Sequence, residues 1–338
     1  MFLVERAIGV GIYMFVLLIV CAIISNTKIS CKAALKFYLI CLCVMALFYK
    51  PYITADLYKT YVIVDYFGSV DFMYFMENLA FQGSTPAARI LYWCVGKIGY
   101  NALLPIFSAF FSYSLIFYII IKTQEIYSIS KKNVAYLLFF LMSTSIYISA
   151  IGGIRMMIVL SAIAFCFFRE VVEKKFNFLN IFLYIISVFM HSMAIVIIAI
   201  RLFVTVFDGR KKRIMRILYV FFVAILCFAF LLNSGVFMTD FIDKVNDYLF
   251  GDRYSDAWEY IMGVLIFIVL TVFAYNFAPY RRDNAFADII PYNYTMIICM
   301  IISLVFCFEF SIFYRFLGHA AVLFSIPMIM ITLEETDN

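Results

Sequence analysis

The sequence predicts an all-α polytopic integral membrane protein, because composition, run length and charge placement all point to lipid as the solvent. Of 338 residues, 66% are hydrophobic and 14% charged, against about 45–50% apolar and about 25% charged in soluble domains. One core cannot hide that excess, since a chain of this size still exposes about a quarter of its unfolded surface. In lipid the backbone must satisfy its own hydrogen bonds, which leaves helices or closed barrels. The apolar runs 217–232 and 259–278 show no period-two alternation, which selects helices.

Taken in chain order, the first run, 8–24, follows only Glu5 and Arg6 and lacks a small-x-small cleavage pattern. It reads as a retained span, not a signal peptide. Basic clusters mark cytoplasmic loops: Lys28, Lys32 and Lys36; Lys122, Lys131 and Lys132; Arg169, Lys174 and Lys175; Arg210 to Arg213 with Arg216; Arg281 and Arg282. The alternation gives about 11 transmembrane helices in one domain, 1–338, with the N-terminus outside and the C-terminus inside. Two outer segments are expected: 50–100, folding into short interfacial helices, and 236–259, which carries six carboxylates against Lys244 and Arg253.

The stretch 176–207 has basic clusters on both flanks, so it must cross the membrane an even number of times. It is expected to be a short hairpin with its apex near His191 and Ser192. Arms of about 15–17 residues reach only about 23–25 Å, short of the roughly 30 Å hydrocarbon core. The apex therefore lies beneath the outer surface. Arg155 precedes Arg169 by 14 residues, or about 21 Å of helix, which puts Arg155 at nearly the depth of His191.

That shared depth selects the candidate site. An intramembrane Arg is costly unless paired or facing water. Arg155 opens a helix just after Gly152 and Gly153, where a glycine pair allows close backbone approach and the helix start favours an anion. The bland alternative is an Arg paired to a carboxylate for structure. His191 suits a donor to phosphate or sugar oxygens, or a proton carrier, with a satisfied core histidine as its alternative. Asp56, Tyr58 and Tyr61 open the outer segment; carboxylates and aromatic faces suit sugars, and so does an ordinary interfacial tyrosine belt. Glu309 and Arg315 flank the last outer turn, either paired to each other or serving as a base and a second phosphate ligand.

Several chemistries are excluded. No D-x-D, P-loop or GxGxxG occurs. Two histidines and nine cysteines without a CxxC offer no zinc constellation, so no metal and no cofactor are expected. The net charge of +5 is spread over loops and does not indicate nucleic acid.

These residues resemble the EpsG/Wzy-type polysaccharide polymerases of O-antigen, capsule and exopolysaccharide synthesis. The likeness rests on Gly-x-x-Arg155 opening an apolar helix, on Phe189-Met190-His191-Ser192-Met193-Ala194 about 36 residues later, on Asp56 to Tyr61, and on Arg315-Phe316. It covers about 50–330. Family members often read Asn-x-x-Arg-Gln where this chain has Gly152-Gly153-Ile154-Arg155-Met156. The resemblance implies a metal-independent glycosyltransferase at the outer face of the bacterial cytoplasmic membrane. Its donor would be a polyprenyl-diphosphate-linked oligosaccharide, and a flippase and a chain-length regulator would be its pathway partners. On that reading Arg155 and Arg315 hold the diphosphate, His191 donates to it, and Asp56, before Glu309, takes the acceptor's proton. A lipid-linked oligosaccharide flippase, a membrane O-acyltransferase and a glycan ligase are the alternatives. The first would show repeat symmetry and the second a cytosolic approach, whereas the third shares the polymerase's chemistry.

Overall fold

A computed structural model describes residues 2–26, 28–51, 55–81, 85–144, 146–207, 257–282, 284–307 and 309–337. The basic cluster at 208–216, the apolar run 217–232 and all but the end of the acidic segment 236–259 lie outside the described residues. Among the described residues the regular elements are all helical. In order they are α1 (Phe2–Asn26), α2 (Cys31–Leu47), α3 (Asp56–Ser69), α4 (Phe72–Asn78), α5 (Pro86–Ile98), α6 (Leu103–Tyr127), α7 (Lys131–Ser143), α8 (Ile146–Gly152), α9 (Ile154–Val171), α10 (Phe178–Met190) and α11 (Met193–Phe207). After the undescribed stretch come α12 (Ala257–Phe277), α13 (Ile290–Val305), α14 (Phe310–Tyr314), a π-helical segment (Arg315–Ala321) and α15 (Val322–Asp337).

Among the described residues, four stretches are long and apolar enough to cross a membrane: Ile8–Asn26, Leu103–Tyr127, Tyr260–Tyr280 and Ile312–Asp337. Phe178–Met190, Met193–Thr205 and Ile290–Val305 are apolar but shorter. These are the helices of a membrane protein. The crossings of about eleven expected from loop charge are not all among them. Some expected spans are broken, as where α7 gives way to α8 after 13 residues. Others fall in the undescribed stretch.

Burial separates the centre from the rim. In Ile312–Asp337, 94% of the apolar window is buried inside the protein, against 17% for the first long helix and 22% for Tyr260–Tyr280. Side chains such as Phe15, Phe37, Ile40, Val264 and Ile268 are exposed, the apolar-outward pattern of a surface that meets lipid. At the centre, α9 and α15 meet α13 around Tyr292, which is fully buried. Its ring packs on Phe167 at 5.5 Å, Phe168 at 6.2 Å and Phe324 at 5.0 Å. Its hydroxyl donates to the Ala164 carbonyl at 3.2 Å, so the polar end of a large aromatic is satisfied inside the core. Where α7 begins, the Glu334 carboxylate of α15 accepts from the Ser130 backbone N–H at 2.7 Å and from Asn133 at 3.0 Å, a negative charge where a helix start favours one.

The described residues between 55 and 98 form three short helices, α3 to α5; short helices were expected there. Gly68 of α3 and Gly96 of α5 lie backbone against backbone, so a Cβ on either would overlap the other helix's main chain. This contact sets how closely α3 approaches α5 and therefore where Asp56 and Tyr92 stand.

Candidate functional site

The chain breaks twice at positions the sequence singled out. α8 ends at Gly152, and Gly153 caps α9 with φ −94° and ψ 49°. Its N–H donates to Ser149 at 2.7 Å and its carbonyl accepts from Met157 at 3.2 Å. Neither glycine takes a positive φ. A Cβ at Gly152 would meet nothing within 4 Å, and one at Gly153 would lie 3.1 Å from the Ser149 carbonyl oxygen. The glycines are therefore not demanded by backbone strain; Gly152 adds open volume beside the start of α9. The second break separates α10 from α11 at His191, whose backbone is extended (φ −158°, ψ 134°).

The breaks border one cavity of about 280 Å³. Gly152, Gly153 and Arg155 line it from the start of α9, His191 from the hairpin apex, Asp56 from the start of α3, and Arg315 from the π-helical segment. These are residues far apart in sequence that the fold brings to one place. Four α9-start residues, Gly153 to Met156, face the same space, so the partial positive charge of that helix end reinforces the guanidiniums. Arg155 is half-buried and makes no ion pair or hydrogen bond among the described residues.

His191 has a defined hydrogen-bonding polarity. The Met193 backbone N–H donates to its Nδ1 at 3.0 Å. A peptide N–H can only donate, so Nδ1 is the bare nitrogen and Nε2 carries the proton. His191 is thus a donor through Nε2.

Three expected residues stand apart. Tyr58 and Tyr61 belong to α3 but do not line the cavity. Tyr58 is exposed, whereas the Tyr61 hydroxyl is buried without a hydrogen-bond partner. Glu309 is also absent from the lining. It is 7% exposed, and its Oε1 has no hydrogen-bond partner.

The structure adds members the sequence did not single out: Thr60, Tyr92, Ser149, Tyr314 and His319. Tyr92 of α5 is 5% exposed. Burial raises its phenol above the ordinary value, partly offset by the Arg155 charge and a hydrogen bond with Thr60, so Tyr92 remains a protonated donor at neutral pH. His319 is 3% exposed. Its signal in the sequence was its place four residues after Arg315, the spacing that shares a helix face. Among the described residues no group of His, Cys, Asp and Glu could hold a metal.

The arrangement can bind an anion on two guanidiniums and a helix start, donate from a neutral imidazole, and offer a carboxylate at the rim. Compared with protein-family models, curated proteins and solved structures, the chain matches none of them.

Proposed function

We propose that the protein is a metal-independent glycosyltransferase that polymerises polyprenyl-diphosphate-linked oligosaccharide repeat units at the outer face of the bacterial cytoplasmic membrane. One observation carries this reading: Arg155, Arg315, His191 and Asp56 line a single cavity among apolar helices, with Arg155 unpaired among the described residues. Transfer from a diphosphate builds negative charge on the leaving group. Fixed donors in a water-poor site stabilise such charge by about 2.7–4 kcal/mol for each donor removed. Arg155 and Arg315 hold the diphosphate, and His191 Nε2–H donates to an oxygen that gains charge as the sugar–phosphate bond breaks. Asp56, exposed at the rim, binds hydroxyls of the incoming acceptor with Tyr92 beside it. The expected topology of about 11 crossings, counted from loop charge, puts this cavity on the outer side, where donors arrive already lipid-linked.

The test is a gel of surface polysaccharide from a strain lacking the gene, beside the same strain carrying wild-type or Arg155→Ala protein. Collapse of the long ladder to a single repeat unit, restored by wild type alone, is the expected result. Loss of all surface glycan indicates a flippase. An unchanged ladder with altered acetyl content indicates an acyltransferase.

A further inference from the structure

The cavity holds two histidines of opposite polarity, and the second has no role in the scheme above. His319 Nδ1 lies 3.0 Å from the Tyr314 carbonyl oxygen. A carbonyl only accepts, so this Nδ1 carries the proton and Nε2 is the bare nitrogen. His191 is the reverse, with Nδ1 accepting. One imidazole is built to donate and the other to accept.

Local structure holds the accepting ring in place. Arg315 to Ala321 is π-helical, a widened turn that is frequent at functional sites. Its i→i+5 bonding brings residues four apart closer to eclipse than an α-helix does, stacking His319 beside Arg315. Gly318 leaves room for the Tyr314 ring, which a Cβ there would meet at 3.0 Å. That ring sets its edge against the imidazole, with centroids 4.9 Å apart. His319 is therefore clamped by a hydrogen bond on one nitrogen and an aromatic contact on the ring, and it is 3% exposed, whereas Asp56 is open to solvent.

We infer that His319 Nε2, not a carboxylate, accepts the proton of the acceptor hydroxyl; this rests on the glycosyl-transfer reading above. In the step, the acceptor oxygen forms its bond to the sugar's anomeric carbon and passes its proton to Nε2. The bond from that carbon to the phosphate oxygen breaks, and its electron pair leaves with the diphosphate. The products are a lengthened glycan on the acceptor lipid, a free polyprenyl diphosphate and an imidazolium, which returns its proton to water. Tyr314 is poised to stabilise that imidazolium, because its carbonyl already accepts from Nδ1. The bound diphosphate supplies negative charge that offsets the imidazolium as it forms.

The experiment uses the full chain in proteoliposomes with lipid-linked repeat units extracted from a strain lacking the gene. Binding is followed separately with polyprenyl diphosphate carrying no sugar. His319→Gln is expected to lower turnover about 10²- to 10⁴-fold, the usual worth of a general base, with polyprenyl diphosphate binding unchanged. Added imidazole should restore part of the turnover of His319→Ala, a response that a purely structural histidine would not give. Near-wild-type turnover by His319→Gln, or a His319→Ala protein that binds polyprenyl diphosphate yet ignores imidazole, overturns the assignment. If Arg155→Ala binds polyprenyl diphosphate as well as wild type does, the glycosyl-transfer reading itself falls. Loss of binding in Arg155→Ala with full turnover in His319→Gln removes the proton route alone.

Discussion

The two ends of α9 treat charge in opposite ways. At its C-terminal end every cation has an anion. Arg169 lies 3.6 Å from Glu173 and donates to Asn180 at 3.1 Å, Arg201 pairs with Glu170, and Lys174 reaches Asp288 at 2.5 Å. Aromatic faces complete the shell, with Arg201 over Tyr184 at 5.2 Å and over Phe167 at 5.7 Å. At its N-terminal end Arg155 has no such partner among the described residues, and it borders a cavity. One helix thus carries a cationic end paired within the protein and another that borders a cavity. A charge that served only to hold the fold would look like Arg201.

Four substitutions break or sharpen this contrast, from the largest effect to the smallest. Arg201→Ala leaves Glu170 buried without its counter-ion and should cost about 3–5 kcal/mol of stability, seen as a lower unfolding midpoint in detergent. Arg155→Ala should leave that midpoint within about 0.5 kcal/mol of wild type but lower turnover of lipid-linked substrate by roughly 10²–10³-fold. A large loss of stability instead would make Arg155 a structural residue like Arg201. Asn180→Ala removes the donor to the Cys166 carbonyl, 3.1 Å away, and the acceptor for Arg169. An unmet buried group costs about 1–3 kcal/mol, measured by the same unfolding curve. Gly152→Ala adds a methyl where nothing lies within 4 Å and should change stability by less than about 0.5 kcal/mol. Any change in substrate KM at unchanged stability then reports the volume of the cavity rather than the fold.

Arg155 and His191 were legible as neighbours because helical rise counted back from Arg169, and along half of a hairpin beyond it, brings them close, and both line the cavity. The breaks were legible too, since Gly152-Gly153 and His191-Ser192 interrupt otherwise apolar runs. The pairing of Glu170 with Arg201 was not, because the partners stand 31 residues apart on separate helices and only tertiary packing joins them. Tyr92 was hidden for the same reason, as it reaches the cavity through the α3–α5 contact at Gly68 and Gly96. His319 was overlooked as a lone polar residue in an apolar stretch. Its face is set by the π-helical turn, and hydrophobic periodicity is blind to that distinction. The burial of Glu309 was not legible, because a charge at an outer turn suggests access, whereas this one is 7% exposed and does not line the cavity.

The shortness of α10 has a consequence for the surrounding lipid. Its 13 residues span about 20 Å, roughly 10 Å less than a hydrocarbon core, and its flank carries Phe178, Phe182, Ile185 and Phe189 exposed. Hydrophobic mismatch of this sign draws the bilayer thinner around a protein. On the topology expected from loop charge, the membrane dimples at the hairpin and lowers nearby headgroups toward the level of His191. On the proposed function, a lipid carrying a bulky polar headgroup reaches Arg155 down that slope, with its sugars still in water and its tail never leaving the leaflet.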